Sequence, residues 1–153
     1  MVEHVAQVEW KESADNFRTG RYSRAHRWSF DGGVEVPASS SPHVVRLPFS
    51  EERAVDPEEA LVASISSCHM LTFLWLAHEA GWVVVSYRDN AKGILEKGEN
   101  GVPWLARATL RPEIEFDGAA PNADALRELH HRAHHDCYIA NSVRTEVVVE
   151  AFN

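Results

Sequence analysis

Two cysteines, Cys68 and Cys137, are all that this 153-residue chain carries. A disulfide scaffold is excluded, because small proteins held together that way are dense in cysteine. Positive charge is scarce as well: 15 Lys and Arg stand against 23 Asp and Glu, a formal net charge of −8. A phosphate backbone needs a basic footprint, so no nucleic acid is expected as partner, and an anionic membrane surface is disfavoured for the same reason. No apolar run approaches the roughly 20 residues of a membrane span; the longest, Leu71 to Ala80, is interrupted by His78 and Glu79. The first residues, Met1-Val2-Glu3-His4, have neither the basic nor the apolar region of a signal peptide. The expected address is therefore cytoplasmic. Reducing conditions there favour a catalytic or redox-active cysteine pair over a permanent structural disulfide.

What is present fits one soluble domain spanning residues 1–153, 44% hydrophobic and 25% charged. Val2 to Trp10 alternates as a half-buried strand does, with Val2, Ala6, Val8 and Trp10 against Glu3, Gln7 and Glu9. Tyr22 to Phe30 alternates too. Asp31-Gly32-Gly33 is a turn, and Val34 to Ala38 can return as the partner strand. Ser39 to about Val55 is irregular. Val83 to Lys97 and Trp104 to Phe116 read as a hairpin through Asn100-Gly101, with Pro112 marking an edge or bulge. Pro121-Asn122 opens a helix running to about His135. Cys137 to Val143 reads as a short helix or turn, and Thr145 to Phe152 as a closing strand. Three strands, a long helix, two strands, a helix and a strand make an α+β domain.

The long helix is clearly punctuated. Asp56 is a good N-cap, Pro57 takes the first helical position, Glu59 completes an acidic capping box, and Gly81 ends it. Pro57 to Ala80 would span about 36 Å. It is apolar on most sides, which predicts a buried central helix packed between antiparallel sheet and something more.

Cys68 lies in the middle of this helix. A free cysteine there is ordinarily a small buried hydrophobe. The helix dipole fades within about the first turn, so it does not reach Cys68. A nucleophilic Cys68 therefore needs a cation brought from elsewhere to hold its thiolate.

The segment Asp56-Pro57-Glu58-Glu59 followed by Ser67-Cys68-His69-Met70 resembles the N-P-E-[EQ]-L…A-C-[FH] segment of the OsmC/Ohr family, the osmotically inducible and organic hydroperoxide resistance proteins. Gly81 followed by a valine-rich strand and Tyr87 matches as well. Ala133-His134 ahead of Cys137 resembles the family's second-cysteine segment, although members often carry proline after that cysteine and this chain has Tyr138. The resemblance covers nearly the whole chain. It implies an intertwined homodimer and a thiol peroxidase, with Cys68 as the peroxidatic cysteine and Cys137 as the resolving one. Glu58 resembles the carboxylate that holds an active-site arginine. Arg24 resembles that arginine in one branch of the family and Arg46 in the other, with Arg24 slightly favoured for its aromatic strand face. The implied partners are an organic hydroperoxide and a thiol reductant, and no metal or organic cofactor is needed. Trp28, Phe73 and Trp75 are candidates for an apolar wall near Cys68.

Ten residues of one helix rise about 15 Å and turn roughly 1000°, leaving Glu58 about 80° from the Cys68 direction. The two side chains cannot touch on one straight helix, so a shared site needs a bridging arginine or a partner subunit. His130, His131, His134 and His135 form two i, i+4 pairs on the second predicted helix. Such a pair can supply two ligands to zinc or copper, with Cys137 or Asp136 as a third, or can simply be a polar helix face. The alternative to an enzyme is accordingly a non-catalytic dimeric module that binds a metal or an apolar ligand in the same cleft.

Overall fold

The computed structural model describes residues 1–13 and 16–151 and divides into two compact units, residues 1–60 and 61–153. The end of the last expected strand, at Phe152, lies outside the described residues.

The first unit is built on an antiparallel three-stranded sheet of β1 (Ala6–Glu9), β2 (His26–Phe30) and β3 (Glu35–Ala38). Val8 faces Trp28, and Trp28 faces Val36. The turn closes through Gly33 at φ +83, a conformation that glycine adopts without strain. β1 and β2 are shorter than the alternation predicts. β1 begins at Ala6 because its partner ends at Phe30, where the turn starts. β2 begins at His26 because the residues before it pair elsewhere: Arg24 N donates to Phe49 O at 2.9 Å, and Trp10 Nε1 donates to Ser23 O at 2.8 Å.

α1 (Pro57–Glu79) starts as the capping residues predict. Asp56 Oδ1 accepts from Glu59 N at 2.8 Å, and Glu59 Oε2 accepts from Asp56 N at 3.3 Å. It ends at Gly81, at φ +82, whose N–H bonds His78 O.

The second unit holds most of α1, α2 (Ala123–Asp136) and five strands. The predicted hairpin is present but broken in two. β4 (Val84–Asp89) pairs with β7 (Pro112–Phe116), and β5 (Lys92–Lys97) with β6 (Pro103–Leu110). The break falls at Arg111, whose N–H donates to the Asp89 carboxylate at 2.6 Å instead of to the ladder, and is followed by Pro112, which has no N–H to give. Asp89 also accepts from Ser66 Oγ of α1 at 2.5 Å, so the break is tied to the helix. β8 (Glu146–Val149) joins β6 in parallel.

Two apolar clusters fix α1 within this unit. Phe73, Leu76 and Ala77 pack with Leu126, Leu129 and Ala133 of α2 and Ile114 of β7. Ile65 packs with Ala108 and Leu110 of β6. Full burial of a side chain such as Phe73 is worth about 1.5–3 kcal/mol. Although α1 is long and apolar enough by itself to cross a bilayer, contrary to the reading of its sequence, its apolar residues supply these cores. Its burial is one-sided rather than complete. Ile65, His69, Phe73 and Ala77 follow one another at i, i+4 along the packed face, while Leu71 and Trp75 remain 61% and 58% exposed.

Candidate functional site

α1 presents Cys68 half-buried, and α2 ends on Cys137, which is fully buried. The chain after α2 turns back at once through a short 3-10 turn, Ala140–Ser142. This turn is pinned by Asn141, whose Nδ2 donates to Cys137 O at 2.9 Å and to His135 O at 2.8 Å. It aims two backbone N–H groups at sulfur: Ile139 N donates to Cys68 Sγ at 3.5 Å, and Ala140 N to Cys137 Sγ at 3.4 Å. Burial first, and then a hydrogen bond with the neighbouring Cys68 thiol, push the Cys137 thiol up to about 11. The N–H groups of Ala140 and Ile139 act the other way and favour its thiolate. The fold thus brings together the two cysteines singled out in the sequence, both free. Tyr138, at the position where proline was the pattern, is 85% exposed.

Beside Cys68 lies a contact that sequence reasoning missed. His69 is buried in the core, and its Nε2 meets Nδ1 of the equally buried His130 at 3.1 Å. The rings are nearly parallel, 6° apart, and His130 also stacks on Phe73 with centroids 4.5 Å apart. Burial lowers both imidazoles to about 4. The pair is therefore neutral near pH 7, one ring donating and the other accepting. A histidine following a cysteine in an apolar helix was the only signal available.

His131 and His135 are exposed, and among the described residues no three of His, Cys, Asp and Glu are placed to hold an ion. His130, His131 and His134 instead line a cavity of about 610 Å³, opposite Val147 and Val149 of β8.

The expected arginine and carboxylate lie in the first unit. Arg24 and Glu58 line one cavity of about 480 Å³, walled by Trp10, Phe17 and Tyr22. The three rings pack edge to face and tilted, with Phe17 and Tyr22 centroids 4.7 Å apart. The Arg24 guanidinium sits 3.7 Å from the centre of the Tyr22 ring, and its Nη1 donates to Tyr22 O at 2.5 Å. Glu58, in the first turn of α1, is half-buried there. Arg46 is exposed and does not line this cavity. Of the aromatics expected near Cys68, Phe73 is committed to the core beside His130 and Tyr87, and Trp75 is exposed. Trp28 belongs to β2, where its Nε1 donates to His26 Nε2 at 3.0 Å.

A family model described as OsmC-like protein matches residues 50–151. The chain belongs to the OsmC-like family. A solved OsmC-like protein of unknown function from Vibrio cholerae O1 is 51% identical, with 99% of this chain and 100% of that one covered and a TM-score of 0.96. Organic hydroperoxide resistance proteins share the OsmC fold at lower identity. The one from Elizabethkingia anophelis is 18% identical, with a TM-score of 0.71 over 99% of this chain and 94% of that one. The one from Bacillus subtilis is 16% identical, with a TM-score of 0.69 over 99% and 98%. No curated protein matches the chain in sequence. Family and fold together make this an OsmC-like protein.

Proposed function

We propose that this OsmC-like protein is a cysteine-based peroxidase that reduces organic hydroperoxides. The observation that carries the reading is the contact between its only two thiols, one half-buried in mid-helix and one buried at a helix end. The Cys68 thiolate attacks the distal oxygen of the hydroperoxide. The O–O bond breaks, the alkoxide takes a proton and leaves as the alcohol, and Cys68 becomes a sulfenic acid. Cys137 then attacks that sulfur as thiolate. The S–O bond breaks, hydroxide takes up the Cys137 proton and leaves as water, and a Cys68–Cys137 disulfide remains. An external dithiol returns both cysteines to thiols by exchange.

Cys137 begins as a protonated thiol, which suits a residue that acts second. The Ala140 N–H beside its sulfur lowers the cost of losing that proton. For Cys68 the cation is Arg24, with Arg46 as second choice. Arg24 shares an aromatic-walled cavity with Glu58, and a planar guanidinium can meet a carboxylate while still facing a sulfur or a peroxide. The same aromatic walls favour greasy substrates over hydrogen peroxide. The active form in this reading is a cytosolic homodimer, in which a second copy covers the open face of α1 at Leu71 and Trp75.

The test is turnover of an organic hydroperoxide with a dithiol reductant. Cys68→Ser should abolish it, because no alkoxide is available near neutral pH. Substantial residual turnover in that variant would remove Cys68 from its role. Sedimentation as a dilute, well-folded monomer would remove the dimer.

A further inference from the structure

We propose that His69 and His130 form a positioning pair for the second oxidation step, setting α2 against α1 so that Cys137 meets Cys68. The inference rests on the peroxidase reading and adds residues to it.

His69 adjoins Cys68 on α1. On α2, His130 and Cys137 are seven residues apart, which is about two turns, so both project to nearly the same side of that helix. One hydrogen bond of 3.1 Å therefore joins the thiol-bearing helices at a fixed rotation. The apolar contacts around it, Phe73 and Leu76 against Leu126, Leu129 and Ala133, are non-directional and would tolerate a small slide or twist. A ring-to-ring hydrogen bond does not, and Phe73 stacked on His130 holds the plane in which it forms.

Stability alone is a poor reason for such a pair. His69 Nδ1 and His130 Nε2 are both buried without partners. Replacing two hydrogen-bonded groups by apolar ones of similar shape is often neutral or stabilising. The pair is then best explained by what it positions. Disulfide formation needs the sulfurs aligned, and a misplacement of about 1 Å can cost on the order of 100-fold in rate.

The experiment separates the two oxidation steps in the full-length protein. The first is followed by trapping the Cys68 sulfenic acid with a dione reagent, and the second by appearance of the Cys68–Cys137 disulfide. In the double variant His69→Leu/His130→Leu the first step should keep its rate while the second slows about 10- to 100-fold. Denaturant stability should stay level or rise. His69→Gln, whose amide reaches the Nε2 position, should restore most of the second step. Ile114→Ala, a core truncation on β7 in the same cluster, should lower stability without slowing disulfide formation. Equal disulfide rates in wild type and double variant would overturn the positioning role. So would a loss that Ile114→Ala reproduces, or a failure of His69→Gln to rescue. A wild type that forms no disulfide at all would instead overturn the peroxidase reading beneath it.

Discussion

Lowering the pH from about 7 to about 4.5 should destabilise the protein through one buried contact. A histidine ordinarily takes up its proton near 6.5, and burial pushes His69 and His130 down to about 4. For His69, His130 and His134 of α2 lower it further, while Asp89 of β4 draws it back. In the unfolded chain both rings are charged below about 6.5; in the folded protein both stay neutral until about 4. The unfolded state binds more protons throughout that window, so stability falls as pH falls. It is complete above 6.5 and is lost progressively on the way to 4. At roughly 1.4 kcal/mol per pH unit, one ring accounts for about 3 kcal/mol. The rings share a hydrogen bond and do not titrate independently, so the pair accounts for about 3–6 kcal/mol. Set against the 5–15 kcal/mol typical of a whole domain, roughly, this is a large fraction. Urea unfolding at about pH 7, 5.5 and 4.5 gives the slope. Carboxylates titrate in the same range, so the decisive quantity is the difference between wild type and His69→Leu/His130→Leu, which should lose only the carboxylate part. Parallel pH profiles for the two proteins would refute the reasoning.

Three further outcomes follow from the site and the packing. Cys137→Ser should consume one equivalent of hydroperoxide, then stall at the Cys68 sulfenic acid or over-oxidise, as intact mass would report. Arg24→Ala should slow alkylation of Cys68 and its reaction with hydroperoxide while leaving the circular dichroism spectrum unchanged; Glu58→Gln should do the same more weakly, and a normal alkylation rate in Arg24→Ala would move the assignment to Arg46. Gly93→Ala should destabilise the second unit by about 1–3 kcal/mol in denaturant unfolding, because its Cβ would meet Val62 Cγ2 at 2.6 Å and Leu105 Cδ1 at 2.8 Å.

The parts of the fold legible in the sequence were those fixed by local chemistry. The reciprocal bonds of Asp56 and Glu59 and the left-handed Gly81 set the ends of α1. Asn122 caps α2 by accepting from Ala125 N at 2.9 Å. What stayed hidden depends on residues distant in the chain. The hairpin break at Arg111 exists because Asp89 reaches both its N–H and Ser66 on α1. The open side of α1 could not be told from the packed side, because a helix apolar all round carries no directional pattern. At the candidate site the two cysteines stood out by scarcity and spacing. Arg24 was favoured over Arg46 only slightly, for its aromatic strand face; the fold places Arg24 over Tyr22 on the Glu58 cavity. His130 read as one of four similar histidines until His69 was found against it.

In the proposed mechanism Cys68 and Cys137 form one redox couple driven by organic hydroperoxide. It is tested most directly by mass spectrometry of the reduced protein after one equivalent of an organic hydroperoxide, with proteolysis under conditions that block thiol exchange. A Cys68–Cys137 cross-linked peptide, absent before treatment and reversed by dithiol, is expected. Two free thiols after treatment, or oxidation that settles on Cys68 alone while Cys137 remains alkylatable, would contradict it.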